Sequence, residues 1–226
     1  MYKENMKGQY NYINKEGKLI YGDMLVDSIE SIENGYSVVK KGKKYNYINK
    51  EGKCISDVWF ELIGDFKDGF AVVKKDNKWN YIDKKGKYIS DIWFDNAYAF
   101  FDEVCMVFLR GKCNYINKEG EYISDIWFDD GYSFDDGVAR VRLNKKWNYI
   151  NKEGKYISDI WFDDTFWFLD GFSAVGLDGK WNYIDREGKL LSDIWFDDAY
   201  GFDDGKAKVE LNGKWVLIDK EGNIIG

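Results

Sequence analysis

The sequence contains no proline and no histidine, and only 3 of its 226 residues are cysteine. Without proline, the backbone amides remain available as donors for β-ladders. Without histidine, zinc sites and histidine-based acid–base catalysis lose their usual ligand and base.

No apolar stretch approaches the roughly 20 residues that span a bilayer. The opening stretch MYKENMKGQYNYINKEG shows no signal peptide. We therefore expect no membrane partner and no cofactor.

The cysteines and the charge balance point to a reducing compartment and an acidic surface. Cys54, Cys105 and Cys113 are odd in number and do not recur at matching positions, so no disulfide framework is predicted. Free thiols of this kind are typical of the cytoplasm, which is the predicted location. The net charge of −7 gives no general attraction to nucleic acid, so none is expected as a partner.

Aromatic residues are abundant, at 19% of the chain, and they recur at fixed intervals. Variants of the stretch at residues 146–162, KWNYINKEGKYISDIWF, fill nearly the whole sequence, with spacings of 34 residues and one of 35. Such regular spacing predicts a tandem array in which each unit meets its neighbours in the same geometry. We expect a single repeat domain, residues 1–226, with approximate modules 1–35, 36–69, 70–103, 104–137, 138–171, 172–205 and 206–226.

Each module is predicted to be an antiparallel β-meander. In the copy from 138 to 171, residues 138–143 alternate as strand A, residues 147–151 form strand B, and residues 156–158 form strand C. The following IWFDDTFWF forms either a fourth strand or an ordered loop. The fold class is therefore all-β, and we expect an open, β-solenoid-like array. A closed, seven-bladed, propeller-like toroid is the alternative. The copy with Glu103 and Cys113 departs most from the pattern and is expected to be the loosest.

The stretches KWNYIDKKGK, 78–87, and FDDGVARVRLNKKWNYINKEGK, 134–155, resemble the repeats of WG-repeat proteins. The resemblance covers about residues 36–225. It implies a bacterial or phage origin, a β-repeat array and no established enzymatic activity. One departure is the residue after the tryptophan, which is glycine in the family and asparagine here: Asn80, Asn114, Asn148 and Asn182. A side chain must fit where the family has none, and a ladder of amides from unit to unit is one structural role for it.

The repeated aromatics suggest either an inter-repeat core or a sugar-binding strip. We expect the core role for the tryptophans, namely Trp79, Trp93, Trp127, Trp147, Trp161, Trp181, Trp195 and Trp215. The tyrosines two positions after the first tryptophan are candidates for ligand binding, because their hydroxyl groups need water or a partner. These candidates are Tyr81, Tyr115, Tyr149 and Tyr183.

Acidic pairs also recur, and two readings of them are open. Oxygen ligands suit Ca²⁺, which makes weak calcium candidates of Asp129, Asp130, Asp163, Asp164, Asp197 and Asp198. No copy has the spacing of a calcium loop, and aspartate also suits turns, so the turn role is favoured. In a meander, the acidic DDG turn and the basic KEGK turn lie at the same end. We expect them to neutralise each other in part.

The repetition itself directs the functional hypothesis. Carboxylates that recur in every unit do not form the single constellation that an active site needs, so catalysis is not expected. Identical sites in series suit avidity, which predicts a non-catalytic scaffold that presents a repeated β surface to another protein. The alternatives are carbohydrate binding through exposed tyrosine and tryptophan, or an enzyme. Strand edges at the ends of an array also suggest end-to-end self-association.

Overall fold

The computed structural model describes residues 2–4, 10–12, 26–30, 36–49 and 51–226. Within these residues every regular element is a β-strand, which confirms the all-β prediction. In the first half the strands are β1 Tyr2–Glu4, β2 Tyr10–Tyr12, β3 Ser28–Glu30, β4 Ser37–Lys41, β5 Lys44–Ile48, β6 Leu62–Ile63, β7 Phe70–Lys75, β8 Lys78–Asp83, β9 Asn96–Ala97, β10 Cys105–Leu109 and β11 Lys112–Ile116. They continue as β12 Asp130–Gly131, β13 Val138–Leu143, β14 Lys146–Asn151, β15 Asp164–Thr165, β16 Ser173–Leu177, β17 Lys180–Ile184, β18 Asp198–Ala199, β19 Lys206–Leu211 and β20 Lys214–Asp219.

Apart from the β1–β2 pair, the described strands form three-stranded sheets that repeat one plan. Each sheet has a two- or three-residue strand at one edge, a longer strand A in the middle and strand B at the other edge, as in the order β12-β13-β14. Strands A and B match the predicted hairpin, with Val138 opposite Asn151 and Leu143 opposite Lys146. The predicted first module, residues 1–35, lies largely outside the described residues, so its details stay a prediction.

The hairpin turns have the backbone conformation that their residues favour. Asp178 and Gly179 both have positive φ, at 51° and 75°. This pattern is that of a two-residue turn whose twist matches the flanking strands, as the Asp-Gly pair predicts. Asn144 and Lys145 adopt the same conformation, at 51° and 68°, although lysine tolerates it poorly.

The predicted strand C is wrong as a strand. Tyr156 forms a single bridge with Ile150, and the chain then leaves that register. Phe162 forms a bridge with Trp147 of the same repeat, and Asp164 then pairs with Gly176 of the next sheet. We call the segment between strand B and the next strand A the connector. It is ordered, and it contributes a short strand to the following sheet. The connector links two consecutive sheets, because its first half pairs with one sheet and its second half pairs with the next.

A buried asparagine fastens each connector to strand B. The side-chain amides of Asn46, Asn80, Asn114, Asn148 and Asn182 donate to the carbonyl ten residues later, at 2.7–2.9 Å. Each asparagine is 0% exposed, and its oxygen accepts the amide of the following tyrosine. The predicted amide ladder between units is wrong, because each amide bonds to the backbone of its own repeat. This bonding explains why a side chain fits where the family has glycine.

The turn after strand B approaches the preceding connector too closely for any side chain. A Cβ atom on Gly188, whose φ is +86°, would overlap the carbonyl oxygen of Ile157. Gly86 and Gly154 stand in the same relation to Ile55 and Ile123. Glycine at this position therefore permits both the positive φ and the close stacking of neighbouring repeats.

The chain divides into two compact units. The first contains residues 1–110 and 116–121, and the second contains residues 111–115 and 122–226. In the first unit, Tyr47, Phe60, Ala71, Val73 and Ile82 form a buried cluster. In the second, Tyr149, Phe162, Val175 and Ile184 form another. The preference for an open array over a closed one stays a prediction.

The tryptophans do not form the centre of this core, contrary to prediction. The largest fully buried side chains are tyrosine, phenylalanine and isoleucine, in the series that contains Tyr149, Phe162 and Ile48. The predicted core tryptophans are half-buried, namely Trp79, Trp93, Trp127, Trp147, Trp161, Trp181 and Trp195, and Trp215 is 40% exposed. The reason is their position. Trp147 is the second residue of strand B, near its end, and Tyr149 lies at the middle of the strand. Trp161 lies between strand B and the next short edge strand, outside the regular strands.

Candidate functional site

The four tyrosines predicted to bind ligand lie in the core. Tyr81, Tyr115, Tyr149 and Tyr183 are at most 2% exposed, and each packs against a phenylalanine 19 residues later. Their hydroxyl groups donate to a backbone carbonyl, as Tyr149 does to Phe166 at 2.7 Å. Burial raises the pKa of Tyr149 to about 12. The prediction of an exposed ligand-binding role is corrected, because rings that are covered on all sides cannot stack on a sugar.

The acidic pairs organise turns. Asp163 forms an ion pair with Lys146, which holds its pKa below the usual value, and accepts the amide of Asp178 at 2.9 Å. Asp129 and Asp197 repeat this arrangement. The second member of each pair accepts the amide of the next residue, as seen for Asp130, Asp164 and Asp198. In the described part of the chain, no three His, Cys, Asp or Glu side chains cluster as metal ligands would. The structure thus gives these carboxylates the turn role.

The acidic and basic turns meet as predicted. Arg186 forms an ion pair with Asp136, and Lys220 forms one with Asp170 at 2.6 Å. In the divergent copy, Lys118 pairs with Glu103 at 3.2 Å. These pairs are at the surface, so screening by solvent keeps their contribution to stability small. They link turns that are far apart in the sequence.

Aromatic rings that are exposed or half-buried form pairs on successive sheets. The first ring follows the short edge strand, and the second is the second residue of strand B in the same sheet. In the second compact unit the pairs are Tyr132–Trp147, Phe166–Trp181 and Tyr200–Trp215, with ring centroids 5.9, 5.4 and 5.3 Å apart. Phe166 is 48% exposed and Tyr200 is 60% exposed. We call the six residues of these pairs, with Trp167 as a seventh, the aromatic surface.

Cations lie over two of the three tryptophans of these pairs, Trp147 and Trp215. Lys208 lies 5.1 Å from the Trp215 ring, and Arg142 lies 5.3 Å from the Trp147 ring. Arg142 stands opposite Trp147 in the ladder, so the strand register places the charge there. Cation–π contacts of this kind contribute roughly 0.5–2 kcal/mol, depending on how far water is excluded.

One part of the aromatic surface differs from its repeats. The guanidinium of Arg140 lies 4.2, 4.6 and 5.1 Å from the rings of Tyr132, Trp147 and Trp167. It donates to the carbonyl of Thr165, which belongs to the next sheet. Trp167 is 45% exposed and packs edge-on against Tyr132 at 4.9 Å. Arg140 therefore connects the pair of one sheet to the next.

Sequence reasoning missed the first ring of each pair. Tyr98, Tyr132, Phe166 and Tyr200 recur every 34 residues within the connectors, which is the same signal that identified the tryptophans. The connectors were predicted as strand or loop without a burial pattern, so nothing marked these rings as exposed. Trp167 has no aromatic counterpart 34 residues before or after it, where Ser133 and Gly201 stand.

None of the three cysteines forms a disulfide bond. Burial is the main cause of the raised pKa of Cys113, which reaches about 12, and it also raises the pKa of Cys54 and Cys105. These groups are therefore protonated thiols at neutral pH, with weak nucleophilicity. Among the described residues, no helix has the length and apolar character required to cross a membrane.

Comparison with known proteins gives a family and some weak structural likenesses. No curated protein matches the chain significantly. Hsv2 of Kluyveromyces lactis is 11% identical, and the match covers 82% of this chain and 70% of that one with a TM-score of 0.40. A eukaryotic initiation factor is 10% identical over 100% of this chain and 72% of its own, with a TM-score of 0.43. A protein of unknown function from Bacteroides caccae is 14% identical over 96% and 88%, with a TM-score of 0.26. These TM-scores are too low to carry an argument.

The family match is extensive. The WG containing repeat is found at residues 12–45, 47–79, 81–113, 115–147, 149–181 and 183–215. Each matched segment runs from one strand B, through the connector and strand A, to the start of the next strand B. The chain belongs to the family of proteins built from the WG containing repeat.

Proposed function

We propose that this protein is a non-catalytic binding protein that engages another protein through the aromatic surface. The observation that carries the proposal is the repetition of aromatic pairs on three successive sheets of the second compact unit. In these pairs Phe166, Tyr200 and Trp215 are exposed, and the other three rings are half-buried. Tryptophan, tyrosine and arginine are the residues that dominate the energetics of protein interfaces. Contiguous exposed apolar surface of this kind marks interaction sites.

The charges beside the rings favour an acidic partner. Arg140 and Lys208 lie over rings of the aromatic surface. Arg142 also lies over a ring, but its charge is paired with Asp130 at 3.3 Å. A partner segment that alternates carboxylates with apolar side chains would match both the rings and the cations. Because the pairs repeat, a partner with several such segments gains avidity without requiring a strong contact at any one sheet.

A non-catalytic role agrees with the roles of the carboxylates. Asp129, Asp163 and Asp197 each pair with a lysine and hold a hairpin turn, in the same way in three repeats. A general acid or base needs a pKa raised toward neutrality. The pKa values of these three aspartates are lowered, chiefly by their lysine partners.

A phage-displayed library of random peptides tests the proposal, because it requires no knowledge of the natural partner. We expect enrichment of peptides that combine acidic and apolar residues. The affinity of a selected peptide, measured by titration, should fall at least tenfold in the double variant Tyr200→Ala with Trp215→Ala. The control is Phe101→Ala, which removes a 58% exposed ring outside the aromatic surface. Equal affinities in the double variant and the wild type would refute the proposal.

Carbohydrate binding is the second candidate, and the exposure of the Tyr200 and Trp215 rings favours it. A glycan array tests it with the same double variant. The informative change is at Tyr200 rather than at Tyr149, whose ring is buried. Self-association through strand edges stays a prediction, which sedimentation velocity over a range of protein concentrations measures.

A further inference from the structure

A basic groove lies in the first compact unit, to which no residue of the aromatic surface belongs. Its volume is about 610 Å³, within the range of small-molecule sites. The groove lies between the connector Cys54–Val58 and the turn Lys84–Tyr88. Its charged lining consists of Lys53, Lys84, Lys85, Lys87 and Asp57. Four lysines thus face one aspartate, in a chain whose net charge is −7.

The positive charge is specific to this repeat. The second residue of the turn is glutamate in the other copies in the sequence, namely Glu16, Glu51, Glu119, Glu153, Glu187 and Glu221, but here it is Lys85. The residues 34 positions after the five charged lining residues are Lys87, Asp91, Lys118, Glu119 and Glu121. The next groove position therefore has more acidic than basic residues, although its backbone follows the same plan.

The turn that supplies three of the lysines is held rigidly. The carboxylate of Asp83 accepts the amides of Lys85 and Lys87, at 2.8 and 2.9 Å. Gly86 packs so closely on Ile55 that no Cβ atom fits between them. The backbone is thus fixed against the far wall of the groove. Less entropy is lost when the lysine side chains engage a ligand than in a mobile loop.

Among the described residues, the lysines of the groove lack the partners that neutralise equivalent residues elsewhere. Arg186 and Lys220 pair with aspartates 50 positions earlier. The residue 50 positions before Lys84 is Asn34, which carries no charge and lies outside the described residues. In the described part of the chain, no ion pair includes any of the four groove lysines.

We infer that this groove binds a compact ligand that carries several phosphate groups. Lysine ammonium groups bind phosphate oxygens as point charges, and several of them converge here on one open site. A compact anion fits the groove better than a long polyanion does, because a chain that extended to the next repeat would meet Glu119 and Glu121. The site is independent of the aromatic surface and of the function proposed for it.

Inorganic tripolyphosphate is the probe for this inference. We expect calorimetric titration of the full chain at physiological salt to give saturable binding at one site. Lys85→Glu should weaken this binding at least tenfold. This variant recreates the K-E-G-K turn found at residues 152–155, so it is expected to fold. Lys145→Glu, which changes an exposed turn lysine elsewhere by the same charge, should leave the affinity within about twofold.

Three further results decide the origin and the specificity of binding. Vesicles of anionic phospholipid that bind the wild type but not Lys85→Glu would identify a lipid headgroup as the source of the phosphate. Binding to tripolyphosphate without vesicle binding would identify a free phosphate compound. Equal binding of tripolyphosphate to wild type and Lys85→Glu would overturn the inference. So would tighter binding of a single-stranded oligonucleotide that survives the Lys85→Glu change.

Discussion

The side-chain amide of Asn148 donates to the carbonyl of Ser158 at 2.8 Å, and its oxygen accepts the backbone amide of Tyr149 at 2.7 Å. All three residues are buried. One side chain thus satisfies two backbone groups that lie too deep for free access to water. Glycine, which the WG pattern places here, has no side chain for either bond. Asparagine in place of glycine therefore joins strand B to the connector through side-chain hydrogen bonds.

Replacing Asn148 with alanine should lower the free energy of unfolding by about 2 kcal/mol, because a buried donor and a buried acceptor lose their partner. Urea denaturation followed by tryptophan fluorescence measures the loss. Asn148→Gly should cost a similar amount, and Lys155→Ala, in the exposed turn, should cost little. An unchanged urea midpoint in Asn148→Ala would show that water replaces the amide.

Gly188 and Gly222 form a matched pair for testing the close approach of repeats. Both have positive φ, at +86° and +80°, but a Cβ atom overlaps a carbonyl only at Gly188. At Gly222 the nearest backbone atom, the oxygen of Leu191, would be 3.4 Å away. Alanine at either site incurs roughly 1–2 kcal/mol of backbone strain. We expect Gly188→Ala to lower Tm clearly more than Gly222→Ala in thermal unfolding. Equal shifts would mean that the repeats separate without cost.

Lys145 should be a site where the hairpin turn can be improved. Its φ of 68° is in the left-handed region, and the equivalent position in the next repeat is Gly179. Lys145→Gly should stabilise the protein by up to about 1 kcal/mol, because it removes the strain of a side chain at positive φ. The reverse exchange, Gly179→Lys, should destabilise it. Differential scanning calorimetry compares the two, and a lower Tm for Lys145→Gly would contradict the prediction.

The buried hydroxyl of Tyr149 predicts alkaline unfolding. An unfolded tyrosine has a pKa of about 10. Burial raises the pKa of Tyr149 in the folded protein to about 12. The folded state therefore binds the hydroxyl proton of Tyr149 more tightly than the unfolded state does. The resulting contribution to the free energy of unfolding is fully present below pH 10 and is lost as pH rises toward 12. Urea midpoints measured from pH 9 to 12 should fall less steeply in Tyr149→Phe than in the wild type. Identical slopes would show that Tyr149 ionises freely in the fold.

The sequence predicted a repeated aromatic surface, but it assigned the wrong aromatic residues to that surface. Regular spacing and aromatic content indicated a repeated surface, and they placed the exposed role on Tyr149 and its equivalents. The structure gives that role to rings such as Phe166 and Tyr200 in the connectors. Connector burial depends on which sheet each half of the connector pairs with. That pairing has no signature in local alternation.

The period, the A–B hairpins and the turn glycines could be predicted from the sequence, because they depend on local forces. Alternation selects strands, and positive φ selects residues such as Gly179. The different burial of Trp147 and Tyr149 depends on tertiary packing. They lie two positions apart on one strand and so share a face. Phe168 and the buried cluster of Phe162, Val175 and Ile184 pack around Tyr149 and make it a core residue. Trp147 stays half-buried near the end of the strand, beside Arg140.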